Sequence, residues 1–254
     1  MIVTIDATCF RIQARNGKYT PQVLLKKRDK PQEPAYNQYA LVGGWVWESP
    51  IEGSDVFDND IEQAFERIIN TKLGADLRYA EQIPSVGSMK RDSRGWSLTV
   101  LHYALLTEDS AKAIEDNDGY SWVNVEDVLD GSFKLPFDHR YLVAKCWVSF
   151  IRKAAYSSVG LYALPEEFTV YGAVKVFESL GVALTKQTVQ NRWKKDELII
   201  PTGNQVKEGS GPLKGTFVLN EKELTYFPIS LNVEDTLGAN TVIGDHERAI
   251  RAQR

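Results

Sequence analysis

Few side chains in this sequence could do bond-breaking chemistry. Glu62 and Glu66 lie one helical turn apart and could act as paired carboxylates, but acids near a helix start ordinarily face solvent, where the dipole favours them. His102, His139 and His246 form no His-Glu-x-x-His or His-Cys pattern, so metal ligation has no spacing to support it. Asp138-His139 pairs an acid with an imidazole, yet no activated serine accompanies it. Cys9 and Cys146 are far apart among apolar neighbours and read as reduced core thiols. No catalytic residue and no metal site is assigned.

The second kind of chemistry is electrostatic and local. The chain carries a net charge of -4, which offers no general attraction to nucleic acid. Over residues 185–222, however, seven basic side chains meet four acidic ones, a net +3 that leaves -7 for the rest. A basic patch on an acidic protein is the electrostatic footprint of a DNA-binding module.

The elements that position these residues follow from periodicity. Ile2 to Ile12 and Gln22 to Lys27 alternate as strands around an Arg15-Asn16-Gly17-Lys18 turn, and Gln38 to Trp47 adds a strand with a turn at Gly43-Gly44. Ile61 to Lys72 puts Ile61, Ala64, Phe65, Ile68 and Ile69 on one helical face, which Gly74 ends. Ile83 to Ser88 and Ser97 to Leu106 form a second hairpin, and a strand at Tyr120 to Val123 precedes a short helix from Val125 to Leu129. A long helix from Asp138 to Ala155 then bridges to a new pattern: helix Tyr171 to Leu180, stop at Gly181, cap at Thr185, helix Lys186 to Glu197. Ile199-Ile200-Pro201, a Gly- and Lys-rich loop over 203–215, and Thr216 to Leu219 complete a winged helix-turn-helix order. The fold class is α+β, with a domain over 1–155, a DNA-binding domain over 156–224, and a tail over 225–254 that shows no clean period. The tail reads as a dimer arm, a disordered end or added sequence. Apolar runs fall far short of the ~20 residues a membrane span needs, and the start has no signal pattern, so a cytoplasmic location is expected.

Within the first domain, Gly53, Asn59 and the run Arg67-Ile68-Ile69-Asn70-Thr71-Lys72-Leu73-Gly74 resemble the Nudix box. Gly43-Gly44 and the strand Leu24-Leu25-Lys26-Lys27-Arg28 stand where Nudix domains carry equivalent features. The Gly and Arg spacing matches, but Asn59, Ile68, Thr71 and Lys72 occupy the four carboxylate positions. A pyrophosphate-cleaving site needs those oxygens to hold divalent metal.

Three further stretches are similar to one subgroup, the Nudix-related transcriptional regulators of NAD metabolism. They are Arg91-Asp92-Ser93-Arg94-Gly95, with Ser93 in place of Pro; Phe137-Asp138-His139; and Tyr156-Ser157-Ser158 with Leu164-Pro165 and Phe168-Thr169. The resemblance covers roughly residues 3–222 and implies a Nudix-like α/β/α sandwich followed by a winged helix. It implies a homodimeric repressor of NAD synthesis or salvage genes, with double-stranded DNA and ADP-ribose or a related nucleotide as partners and no cofactor.

On matched positions, Lys26, Arg28, Arg67, Arg91 and Arg94 offer cations to a diphosphate, and Trp45 offers a stacking face to adenine. Arg67 reads equally well as the partner of a neighbouring acid. Asp138-His139 reads first as a helix N-cap, with Phe137, Asp138 and His139 as candidate ligand contacts on the resemblance. For DNA, Lys186, Lys194, Lys195, Lys207 and Lys214 are phosphate contacts, while Thr188, Gln190, Asn191 and Arg192 face base edges and Trp193 packs inward. The alternatives are a divergent Nudix hydrolase of ADP-ribose-type substrates, or a regulator of this architecture tuned to a sugar such as arabinose.

Overall fold

The computed structural model describes residues 1–50, 56–115, 117–208, 211–220, 223–235 and 237–252. Gly53 of the box and Lys222 of the basic patch lie outside the described residues. By its contacts the chain forms two compact units: Met1–Arg11, Gln22–Trp147 and Leu237–Arg254 in the first, Ile12–Pro21 and Val148–Thr236 in the second. The division falls inside the long bridging helix instead of at residue 155, and the 225–254 tail is shared between the units.

The first unit is built on a seven-stranded sheet. Strands β1 (Ile2–Arg15) and β2 (Lys18–Lys27) form the opening hairpin, whose turn residues Asn16 and Gly17 both have positive φ, as a tight two-residue hairpin turn requires. β3 (Tyr39–Ala40) and β4 (Val42–Trp45) follow, and Gly43-Gly44 lies inside β4 instead of forming a turn. Helix α1 (Ile61–Lys72) keeps the bounds its apolar stripe predicts, with the Asp60 carboxylate accepting from Gln63 N and Gly74 at φ +58 behind it. β5 (Leu77–Asp92) extends well beyond its predicted strand, whereas β6 (Gly95–Leu106) starts two residues before its own and ends with it. After them come α2 (Glu108–Glu115), unforeseen in the sequence, then β7 (Tyr120–Asn124), α3 (Val125–Asp130) and the long helix α4 (His139–Tyr156). The main path is β3-β2-β1-β6-β5, with β4 paired to β1 and β7 to β2; β1 and β6 run parallel.

Alternation along β1 assigns the two faces of this sheet. Ile5, Ala7 and Cys9 pack with Ala64, Ile68 and Ile69 of α1. The intervening residues Asp6, Thr8 and Phe10 therefore point to the other face, where the Phe10 ring meets Trp147 of α4 edge-on at 5.4 Å. Helices on both faces of a sheet give the expected layered sandwich.

The second unit contains a 3-10 turn (Ser158–Ala163), β8 (Glu167–Thr169), α5 (Val170–Ser179), and α6 (Lys186–Thr188) continuing as a π-helical stretch, Val189–Lys194. β9 (Ile199–Lys207) and β10 (Leu213–Leu219) make a ribbon on which β8 adds a third strand. Thr169 and Thr185 cap their helices through hydroxyls that accept from Gly172 N and Thr188 N, and Gly181 closes α5 at φ +71. Trp193 is buried against Phe177 at 5.2 Å, so the sequence expectation for it holds. The second helix ends earlier than residue 197, since its last regular turn is the π-helical one.

The tail is ordered by backbone bonds. Ser158 N donates to Thr225 O and Phe227 N to Tyr156 O, after which helix α7 (Ala239–Arg251) packs within the first unit, with His246 stacked on Tyr141 at 3.9 Å. No described helix is long and apolar enough to cross a membrane.

Candidate functional site

Helix α1 carries the box, and its side chains do structural work. The Arg67 guanidinium makes a bidentate pair with Asp58 at 2.7 Å, donates to Trp45 O at 2.9 Å and lies 3.7 Å above the Trp47 ring. That pair holds the Asp58 carboxyl below its ordinary range despite the opposing effect of burial. Arg67 is thus committed to an acid, the second of its two sequence readings. Ile68 is fully buried in the core, the Thr71 hydroxyl donates back to Arg67 O at 2.7 Å, and Asn59 bonds the Gln63 side chain. Glu62 and Glu66 are exposed on the solvated face. Among the described residues no three His, Cys, Asp or Glu side chains gather as a metal cage.

The opposite face of the sheet holds a buried charge cluster. Arg91, at the end of β5, pairs with Asp138 at 2.7 Å and with Asp6 at 3.3 Å, all three side chains being nearly inaccessible. Burial works against the Arg91 charge, but Asp138 and then Asp6 outweigh it and hold its pKa up. Asp138 therefore binds Arg91 instead of capping α4 through its side chain, a correction to the helix-cap reading. His139 accepts the Leu41 backbone N–H at Nδ1 (3.1 Å), which places its proton on Nε2, 4.0 Å from Asp6. Burial is the main cause that keeps this imidazole neutral, lowering its pKa despite Asp6 and Asp138. Phe137, at φ +58, turns the chain into this step and lies half-exposed beneath Arg28 at 5.6 Å.

Trp45 is exposed, with the Arg94 guanidinium over its ring at 4.9 Å. Arg94 is itself paired with Asp92 at 2.6 Å, and Arg28 with Glu33 at 3.0 Å. By alternation along β4, Val42 faces α1 while Gly43 and Trp45 face the Asp6 side. Lys26 stands on the α1 side, two residues beyond Leu24 of the α1 core. The matched ligand residues are thus brought together in part: Trp45, Arg91, Arg94, Asp138 and His139 on one face, Lys26 on the other.

Sequence reasoning missed three residues of these clusters. Asp6 was legible only as an acid interrupting an apolar strand. Tyr120 accepts from Lys26 Nζ at 3.0 Å and donates to the Lys72 carbonyl. Lys72 was read as a lost carboxylate that sets a positive charge where a metal would sit, and not as a ligand contact.

In the second unit, Lys186, Gln190, Asn191, Lys195 and Lys207 are exposed, as a DNA-facing surface needs. Gln187, which the sequence reading passed over, is exposed among them and donates to Asn191 Oδ1 at 2.9 Å. Four further candidates are engaged within the protein. Arg192 is half-buried, its guanidinium 5.1 Å from the Phe227 ring and its Nη1 buried without a partner, so it packs against the tail. Thr188 spends its hydroxyl on Thr185 at 2.9 Å. Lys214 pairs with Glu208 at 2.9 Å and covers Tyr171 at 4.0 Å, and Lys194 lies over Phe217 at 4.5 Å. A cleft of about 220 Å³ beside the ribbon is lined by Tyr19, Glu167, Thr169 and Glu208, and hydroxyls and Lys214 already satisfy its carboxylates.

No family model matches the chain. It is 29% identical over 213 residues to the ADPR-responsive transcriptional repressor NtrR of Acinetobacter baylyi, covering 83% of this chain and 79% of that protein. The structure of Shewanella oneidensis NrtR with a 27mer DNA is 28% identical, with a TM-score of 0.75 over 91% of this chain and 99% of that one. A MutT/nudix family protein from Enterococcus faecalis, at 21% identity and a TM-score of 0.61, shares the fold. The resemblance to Nudix-related regulators read from the sequence therefore holds through both modules.

Proposed function

We propose that this protein, Nudix-related and winged-helix by sequence and fold, is a DNA-binding transcriptional repressor of NAD synthesis or salvage genes. Its Nudix-type unit binds ADP-ribose or a related nucleotide as an effector, needs no cofactor and does not cleave the ligand. The observation that carries this reading is the likeness to a DNA-bound regulator across both units, from the sheet to the ribbon. The relative from Acinetobacter baylyi, described as ADPR-responsive, supports the choice of effector.

Chemistry supports the absence of turnover. Metal-assisted attack on a diphosphate requires several anionic oxygens around the cation. At the four box positions this chain offers an amide, a buried isoleucine, a threonine engaged with its own helix, and a lysine.

Control of DNA binding then runs along α4. This helix begins at the Asp138-His139 step held by Arg91 and Leu41, and its residues from Val148 onward belong to the unit that carries the exposed recognition surface. A homodimer on a two-fold symmetric operator would make the spacing of recognition helices the controlled variable. The test is a mobility shift with candidate promoter DNA, with and without ADP-ribose, alongside an assay for AMP release in magnesium. Specific shifts released by ADP-ribose, without AMP, support the reading. Magnesium-dependent AMP release without DNA binding overturns it.

A further inference from the structure

The cations that the sequence matched to a diphosphate are, with one exception, already neutralised. Arg28 meets Glu33 at 3.0 Å, Arg67 meets Asp58 at 2.7 Å, Arg91 meets Asp138 at 2.7 Å and Arg94 meets Asp92 at 2.6 Å. A ligand phosphate at any of these must compete with a carboxylate already in contact, which removes most of the gain. The exception is Lys26. Among the described residues, neither Lys26 nor Lys72 pairs with a carboxylate.

These two lysines are placed together by the fold. Leu24 packs into the α1 core cluster, so Lys26, two residues on in β2, emerges on the α1 side of the sheet. Lys72 is in the last turn of α1. Tyr120, from β7, ties the two: its hydroxyl donates to the Lys72 carbonyl and accepts from Lys26 Nζ at 3.0 Å, while the same ammonium lies 4.3 Å from its ring. Lys72 is half-buried; burial first, then repulsion from Lys30 and Lys26, hold its pKa down, against a weaker pull from Glu33 and Asp29. Among the described residues neither the Lys26 nor the Lys72 ammonium is in contact with a carboxylate, and an incoming phosphate would relieve the repulsion between them.

Building on the effector reading above, we propose that Lys26 and Lys72 seat the diphosphate of the effector directly, without a divalent cation. A lysine at position 72 repels a metal ion and attracts the oxyanions that such an ion would otherwise bridge. Loss of the helix carboxylates and gain of this lysine are then two parts of one change, from cleaving a diphosphate to holding it.

The test is calorimetric titration of the full-length protein, in chelator, with ADP-ribose and separately with inorganic pyrophosphate. Lys72→Met and Lys26→Met keep the apolar stems and remove the charges, and Lys72→Met leaves the Tyr120 bond to the backbone carbonyl in place. Both probes are expected to bind the wild-type protein without divalent ions, and each substitution to weaken both about tenfold. Lys72→Glu should weaken them further. If Lys26→Met unfolds the protein, Lys72→Met and Lys72→Glu still decide. Nucleotide binding unchanged in the Lys72 variants, or present only with magnesium, overturns the seat and leaves the effector reading standing. Pyrophosphate binding that depends on Lys72, with no binding of ADP-ribose, keeps the seat and removes that effector. Binding of neither probe overturns both.

Discussion

A β-carbon on Gly43 would stand 2.6 Å from the carboxylate of Asp6 and 2.5 Å from the carbonyl of Ile5. The two residues are register partners across the β1–β4 pair, so neither can move without breaking the ladder. Glycine is required here for close approach, since it lets Asp6 reach Arg91. Gly43→Ala should therefore destabilise the first unit by about 1 to 3 kcal/mol, as overpacking does. Urea denaturation should show a lower midpoint with an unchanged slope. An unchanged midpoint would mean that the Asp6 side chain has room to yield.

Arg67 and Asp58 make a separate prediction because the Asp58 side chain is only 1% exposed. Removing the guanidinium leaves a buried carboxylate without its partner, which costs about 3 to 5 kcal/mol in comparable pairs. Arg67→Met should lower stability by that order while leaving ADP-ribose affinity of the folded protein within twofold. Asp58→Asn combined with Arg67→Met should cost much less than the two single losses added. Additive losses would show that the pair is not the unit that stabilises α1.

The legibility of the chain followed the strength of local signals. Helix α1 was readable to the residue, because its apolar stripe and the stop at Gly74 agree. Helix α2 was not, since its eight residues bury only Ala111 and Ile114, too few for a readable period. Helix α7 starts at a glycine with no side-chain cap and buries only Ala239, so its period is faint. For the site, sequence named most members but could not show their partners. Charges such as Arg91 and Asp138 lie 47 residues apart, and only the fold reveals that they neutralise one another. The packing of Arg192 was hidden for the same reason: its ring partner Phe227 comes from a tail without a readable pattern.

All three histidines are held below their ordinary pKa, in each case by burial first. The unfolded chain therefore binds protons that the native protein rejects as pH falls through about 6.5 toward the lower folded values. Stability should be level above pH 7 and decline below 6.5. His139 alone can contribute at most about 1.4 kcal/mol per pH unit. Its protonation would also put a donor against the Leu41 N–H, which Nδ1 now accepts. His139→Gln keeps an acceptor there and cannot titrate, so urea midpoints measured from pH 7.5 to 5 should fall less steeply by close to one proton. Parallel curves for variant and wild type would exclude His139 as a contributor.

Arg192 and Lys195 should part company in a DNA assay. Arg192 Nη1 is buried and its charge lies over Phe227, whereas Lys195 is exposed. Arg192→Ala is expected to lower the melting temperature while altering sequence preference little. Lys195→Ala should leave melting unchanged, weaken all duplexes alike and reduce the slope of log affinity against log salt by about one. A change of base preference in the Arg192 variant, with normal melting, would restore it as a reader.

Effector control can be tested through its reciprocity. Helix α4 starts at a step fixed by Arg91, Asp138 and Leu41, and it is continuous to Tyr156, within the unit that presents Lys186, Gln190 and Asn191. A ligand that binds the DNA-incompetent arrangement more tightly must shift the population away from the competent one, and by no more than its differential affinity. Linkage then requires DNA to weaken ADP-ribose binding by the factor by which ADP-ribose weakens DNA binding. A tenfold loss in one corresponds to about 1.4 kcal/mol and must appear as tenfold in the other. Calorimetric titrations of ADP-ribose onto free and operator-bound protein should differ by the factor measured in mobility shifts. Equal affinities in the two titrations would exclude control of DNA binding by this nucleotide, however well it binds.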